Sequence, residues 1–269
     1  MTRLFATLLA FLAAAGWCDT ELTVMTYNIR VGVGPGRAIS PELVGENLDR
    51  IAEVIRASGA DVVLLQEVDQ GVVRSGGIDE ARHLSDALRM NMCFAPALEF
   101  GGGHYGIALL TRWEIVESGA VPLFRPDYSE SHPEYPEHFS EQRVALIARL
   151  ASGERTITAI DTHLGLTADQ RDRQLAEIAE LVQPHLLAGP VIVGGDLNCE
   201  PASPELAHLS ALRPVAEASE GLLTFPADDP VRAIDHVYVS PGIRVISSEV
   251  LVTDLSDHRP LVTRIVLPD

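Results

Sequence analysis

The sequence predicts one α/β domain, and three observations predict it. Short continuous apolar runs, Val62-Val63-Leu64-Leu65 and Val191-Ile192-Val193 among them, stop abruptly at polar or glycine residues, as buried strands do. Between such runs lie stretches with apolar residues at helical spacing and recognisable caps. The chain of 269 residues is 46% hydrophobic, enough for a large core, and no repeat, low-complexity segment or charged linker divides it.

Taken in order, residues 22–29 alternate with β-favouring types and read as a strand that delivers Asn28 to its tip, before the Gly-rich loop at 32–36. Ser40-Pro41-Glu42 supplies a capping hydroxyl, a first-turn proline and an acid. Leu43, Leu48, Ile51, Ala52 and Ile55 then continue at helical spacing to Gly59. Residues 62–65 form a buried strand that runs into Gln66-Glu67-Val68-Asp69, and residues 79–90 read as a helix led by Asp79. Gly101-Gly102-Gly103 is a turn before His104-Tyr105 and a strand over 107–110. Residues 121–142, with four prolines, read as a long loop, either a substrate-facing lid or a surface excursion. Strands over 144–150 and 156–160 form a pair turned at Ser152-Gly153, the second ending in Asp161-Thr162-His163. Thr167 to Gln170 is a capping box for a helix with a stripe of Leu175, Ile178, Ala179 and Val182. After the strand at 191–193, Ser203-Pro204-Glu205 opens a short helix, and residues 233–239 and 261–267 are strands.

Residues 1–20 stand apart as a secretory signal. Arg3, a short apolar run over 4–12 and Ala13-Ala14-Ala15 give its three regions, with cleavage near 15–18 and a secreted or periplasmic domain over 21–269. The run is too short to span a bilayer, so no transmembrane segment is expected in the mature chain. Cys18 would suit a lipoprotein, but Trp17 before it fits a lipid-attachment signal poorly. The three cysteines, Cys18, Cys93 and Cys199, allow at most one disulfide, and Cys93 and Cys199 read as small buried hydrophobes. A formal net charge of -18 works against diffuse attraction to nucleic acid or to an anionic membrane.

Polar residues able to hold a metal or a phosphate recur at strand ends: Asn28, Glu67, His163, Asp196, Asn198, Asp235, Asp257 and His258. Each alone has an ordinary structural reading, such as an Asx turn for Gly195-Asp196-Leu197-Asn198, but eight at equivalent places ask for a common explanation. Glu67 with Asn28 or Asp257 would supply hard oxygen ligands suited to Mg²⁺. No Cys/His cluster has zinc spacing, and no Gly-x-Ser-x-Gly elbow or P-loop is present. Carboxylates, amides and histidines around one hard cation fit phosphoester hydrolysis.

Thr26-Tyr27-Asn28-Ile29-Arg30, Leu65-Gln66-Glu67-Val68-Asp69, Thr162-His163-Leu164, Gly195-Asp196-Leu197-Asn198, Ile234-Asp235-His236-Val237 and Ser256-Asp257-His258-Arg259-Pro260 resemble, as an ordered set, the motifs of the endonuclease/exonuclease/phosphatase superfamily. The resemblance covers residue 22 to the C-terminus. It implies the DNase I-like four-layer sandwich, two packed mixed β-sheets flanked by helices, with the active site at one edge. It further implies Glu67 as principal Mg²⁺ ligand (Mn²⁺ as an alternative), assisted by Asn28 and Asp257. By the same carry-over Asp196 orients or deprotonates the attacking water and Asn198 binds a phosphate oxygen. His258, held in its tautomer by Asp235, stabilises the phosphorane or assists the leaving group, and His163 is a second phosphate ligand or acid with no identified carboxylate partner. Arg143 is a candidate phosphate contact, with a surface salt bridge as its other reading, and Tyr105 a weaker one.

Departures bear on substrate. Cys199-Glu200-Pro201 stands where the inositol-polyphosphate phosphatase branch has a basic residue, and no basic and aromatic DNA-contacting cluster is visible. Arg74-Ser75-Gly76-Gly77 resembles a group of exported bacterial-type members, some similar to part of a GPI-anchor remodelling protein. The expectation is a secreted, monomeric, Mg²⁺-dependent phosphodiesterase acting on a phospholipid or small phosphodiester. A secreted nuclease cutting DNA or RNA is the first alternative, and an inactive binding module the second.

Overall fold

The first strand shows how the interior is filled. In the computed structural model, which describes residues 20–36, 40–128, 140–215 and 222–268, β1 (Thr20–Asn28) turns Leu22 and Val24 into the space between two sheets, and Met25 and Tyr27 outward under a helix. That period-two split makes β1, buried on both faces, read as a nearly continuous apolar run. The N-terminal apolar run, Cys18 and residues 129–139 of the proline-rich stretch lie outside the described residues.

In chain order the elements continue with α1 (Pro41–Ser58), β2 (Val62–Gln70), α2 (Glu80–Leu88), β3 (Asn91–Phe100), β4 (Gly103–Thr111), β5 (Glu114–Pro122), β6 (Val144–Ser152) and β7 (Arg155–His163). They end with α3 (Ala168–Ala188), β8 (Val191–Asp196), β9 (Arg213–Pro214), β10 (Asp235–Val239), β11 (Arg244–Val250) and β12 (Leu261–Leu267). One sheet has the order β11-β12-β1-β2-β4-β3 and the other β5-β6-β7-β8-β10-β9. Each is mixed, with one parallel pair at its centre: β1 with β2 across α1, and β7 with β8 across α3. Helices α1 and α2 cover the outer face of the first sheet and α3 that of the second, giving the four-layer DNase I-like sandwich. Among the described residues no helix is long and apolar enough to cross a membrane.

The caps differ in part from expectation. Thr167 accepts the Gln170 N–H and Asp79 the Arg82 N–H, as their spacing implies. Ser40 stands at the N-cap of α1, yet its hydroxyl binds the Glu42 carboxylate and makes no backbone capping bond. Leu43 is exposed while Val44 takes the buried position. Four strands have no counterpart in the sequence reading: β3, β5, β9 and β11, all at sheet edges. β5 and β11 are largely exposed, so they lack the apolar run that marks a buried strand. β5 also takes Val121 and Pro122 from the expected loop. Cys93 and Cys199 are free thiols, the first partly and the second fully buried.

Candidate active site

The two parallel pairs end at the same rim. β1 and β2 pair out to Asn28 opposite Gln66, and β7 and β8 out to His163 opposite Asp196. Asn28, Gln66, Asp161, His163, Asp196 and, on β10, Asp235 continue the inward-facing parity of Val24, Leu64, Ile157, Ile192 and Val237 below them. Polar side chains therefore replace the apolar interior where the sandwich opens. Directly beneath, Gln66 donates to Asp161 at 2.7 Å and ties the sheets together. A Cβ on Gly194 would lie 2.7 Å from a methyl of Leu64, and one on Gly195 (φ +141) 1.8 Å from the Thr162 carbonyl oxygen, so both positions require glycine.

Glu67 departs from this parity through a β-bulge. The ladder to β4 slips between Leu65 and Val68, and Glu67 takes φ +53, which turns its carboxylate toward the rim. The Asn28 amide donates to Glu67 Oε1 at 3.1 Å and to Asp196 Oδ2 at 3.0 Å, spanning the two sheets, while its carbonyl oxygen accepts the Arg30 N–H. In this arrangement Asn28 offers donors, not an oxygen ligand, to the carboxylates. Asp257 pairs with Arg30 at 3.3 Å at the cleft margin.

Asp196 is the hub. Its Oδ1 accepts the Asn198 N–H, the Asx turn, with Asn198 at φ +55 and its amide donating to the Leu164 carbonyl. Its Oδ2 lies 3.5 Å from His163 Nε2 and 3.6 Å from His258 Nε2. His258 Nδ1 is 2.8 Å from Asp235, and the Phe225 ring sits 4.8 Å from the imidazole. His163 meets Arg143 at its other nitrogen: Nη1 lies 3.2 Å from Nδ1, and a guanidinium can only donate, while Nε2 faces the Asp196 carboxylate. Arg143 is buried, so it is no surface pair; it also meets Glu141 at 3.3 Å and the Tyr105 phenol.

Burial and neighbours set the two imidazoles apart. Burial, with Arg143 and His258 nearby, holds His163 well below the usual histidine range, so it is neutral with its proton on Nε2. Burial would lower His258 too, but Asp235 and Asp196 outweigh it and push it up to about 10. Burial pushes Asp196 up to about 7, against the pull of His258. Glu67 is raised by burial and by Asp257.

Glu67, Tyr105, Glu141, Arg143, His163, Asp196, Asn198, Asp257 and His258 line a cleft of about 420 Å³ together with Arg74, Leu98, Phe100, Leu166, Phe225 and Arg232. Of these, Arg74 lies in a stretch singled out in the sequence, Arg74-Ser75-Gly76-Gly77. Phe100 and Leu98 sit on the unforeseen edge strand β3. His236, inside the Ile234 to Val237 motif, faces the other way and meets the Cys199 carbonyl.

Residues 25–258 match the Endonuclease/Exonuclease/phosphatase family. The chain belongs to the endonuclease/exonuclease/phosphatase family. Its members are phosphoric ester hydrolases, nucleases and phosphatases among them. The chain is 27% identical to the uncharacterized protein YbhP of Escherichia coli strain K12, over 91% of this chain and 96% of that protein. Its fold is similar to the human Nocturnin catalytic domain with bound sulfate anion, at a TM-score of 0.71 and 24% identity over 93% of this chain and 96% of that one. It is also similar to the mannosyl-6-phosphatase Bt3783 of Bacteroides thetaiotaomicron, at a TM-score of 0.69 and 18% identity over 91% of this chain and all of that one.

As in a divalent-metal-dependent family, acidic and histidine ligands cluster here. Asp196, Asp235 and His258 each bring a ligand atom within 4.8 Å of the others. Hydrogen-bond geometry already commits that trio to protons, since His258 is bound on one nitrogen and faces Asp196 with the other. Glu67 fits a hard cation better. Asn28 is its sole hydrogen-bond partner among the described residues, and its carboxylate lines the open cleft near Asp257.

Proposed function

We propose that the chain is an exported Mg²⁺-dependent phosphodiesterase acting on a phospholipid headgroup or another small phosphodiester. The observation that carries the chemistry is Asp196 flanked by one neutral and one cationic imidazole, an acid and a base held within 3.6 Å.

Asp196, raised toward neutrality, takes the proton from an attacking water. His258 enters as the imidazolium, oriented by Asp235, and gives a proton to the departing oxygen. The Nε2–H of His163 and the second amide hydrogen of Asn198 bind phosphoryl oxygens as negative charge develops. Glu67, with Asp257, would hold Mg²⁺ or Mn²⁺, which when bound supplies positive charge to a phosphoryl oxygen.

The choice of a small or lipid ester is supported by the net charge of -18 and by the apolar walls of the cleft, Leu98, Phe100, Leu166 and Phe225. The signal-like residues 1–20 support export, with the rest one domain. The working unit we propose is a monomer.

The test is a substrate panel in Mg²⁺: bis(p-nitrophenyl) phosphate, p-nitrophenyl phosphate, phosphatidylcholine vesicles and supercoiled plasmid, with EDTA and Asp196→Asn as controls. Turnover of the diester or the lipid without nicking supports the proposal. Nicking abolished by both controls would make the chain a nuclease, and an inert panel from folded, metal-loaded protein would leave a binding module. Fractionation of cells expressing the full chain tests export, and retention in the cytoplasm would overturn it.

A further inference from the structure

Beside Glu67 the cleft carries a guanidinium that no step above uses. Arg74 grips Asp69 fork to fork, Nε and Nη2 each 2.9 Å from one carboxylate oxygen. It stacks 4.4 Å from the Phe100 ring and 5.2 Å from Tyr105. Asp69 is fully buried, and its N–H donates at 2.9 Å to Glu80 of α2, itself buried with Oε1 unpartnered. β1 stops pairing with β2 at Gln66, so this carboxylate serves the strand after its neighbour has ended.

Sequestering two carboxylates side by side costs stability that an apolar wedge would not. What the network secures is one side chain, fixed at two nitrogens and packed against two rings. Its third nitrogen, Nη1, has no protein partner among the described residues, and the side chain is 33% exposed on the cleft wall. Of the other arginines of the cleft, Arg143 is buried against His163 and Glu141, and Arg232 meets Glu200 through Nε alone at 3.1 Å, so neither is held by a two-pronged grip like that of Arg74. Since Asp69 neutralises Arg74, what remains toward the cleft is directional hydrogen bonding with little long-range pull.

We infer that Arg74 is a specificity-determining residue that binds a second anionic group carried by the substrate beyond the scissile phosphate. The half-exposed face of Phe100, at 45%, supports the connecting portion. The inference rests on the phosphodiester reading for its biological sense, while its test needs no turnover.

Isothermal titration of the Mg²⁺-loaded protein with glycerol 1-phosphate, glycerol 1,3-bisphosphate and 3-phosphoglycerate reads it directly. At least one doubly anionic ligand should bind about tenfold or more tighter than glycerol 1-phosphate, the scale of one charge-assisted contact, and the tighter one tells phosphate from carboxylate. D69N/R74Q, which removes both charges and strands neither, should bring that ratio to about one. R74K, keeping charge without the fork, should cut it severalfold. Equal affinities for all three ligands in the wild type, or the full wild-type ratio retained in either folded variant, would overturn the inference. Loss of hydrolysis with the preference intact would instead count against the proposed reaction alone.

Discussion

Nη1 of Arg143 stands 3.2 Å from Nδ1 of His163, and because the arginine has only protons to give, the imidazole must accept there. One donor-only partner thus fixes both the tautomer and the charge of a ring that faces Asp196 with its remaining N–H. His163 should stay neutral on nitrogen-detected NMR through the range near pH 6.5 where an ordinary histidine titrates. In Arg143→Gln its titration should move up toward that range. A His163 that is cationic at neutral pH in the wild type would contradict this assignment.

Asp196→Asn and His258→Ala should each lower kcat by at least about a hundredfold, the lower end of general acid–base contributions. Thermal unfolding of both variants, followed alongside, separates lost chemistry from lost fold. Near wild-type turnover in either would remove it from the proton transfers.

The rate should rise with pH as Asp196 loses its proton near 7 and fall as His258 loses its own near 10. Asp235→Asn takes away the carboxylate that holds the imidazolium, so the alkaline limb should move to lower pH while the acid limb changes less. For folding, the raised His258 contributes stability that is complete below its unfolded value of about 6.5 and disappears as pH climbs through about 10. Denaturant midpoints measured between pH 6 and 10.5 should show the Asp235→Asn difference shrinking at the alkaline end.

Glu67→Gln should weaken Mn²⁺ binding at least about tenfold by titration calorimetry while leaving the fold intact, since it removes a cleft carboxylate whose sole hydrogen-bond partner among the described residues is the Asn28 amide. Chelation of wild-type protein should abolish turnover, with recovery on adding Mg²⁺. Unaltered affinity in Glu67→Gln would shift attention to the Asp196, Asp235 and His258 cluster.

Gly195→Ala should cost at least about 2 kcal/mol, because its methyl would lie 1.8 Å from the Thr162 carbonyl and the backbone there sits at φ +141. A melting temperature within a degree of wild type would show that β7 and β8 can part more easily than their register suggests.

What could be read in the sequence was what burial makes periodic. β2, β8 and β10 announce themselves because water reaches neither face, and their polar ends stand out against apolar runs; all ten site residues expected from motif and resemblance stand at or beside one rim. The edge strands were silent because half-exposed segments such as β5 carry Glu114, Glu117 and Ser118 with no run to detect. For Arg143 the sequence leaves a phosphate contact and a surface pair both open, because spacing along the chain says nothing about the imidazole folded against it. Phe100 and Leu98 escaped for the same reason, their strand being unrecognised. Glu80 and Asp69 each look like ordinary solvated acids, and only tertiary packing sets one on the other.

Gly194 has a reach beyond its own strand. With no side chain there, Leu64 of the facing sheet settles over β8, and one layer higher Asn28 comes within 3.0 Å of Asp196. The gap between the sheets is therefore the calliper that sets how far Glu67 stands from Asp196. Greasy residues deep in the sandwich act as shims for the chemistry, and a methylene added or lost at Leu64 or Ile192 alters the tool as well as its handle.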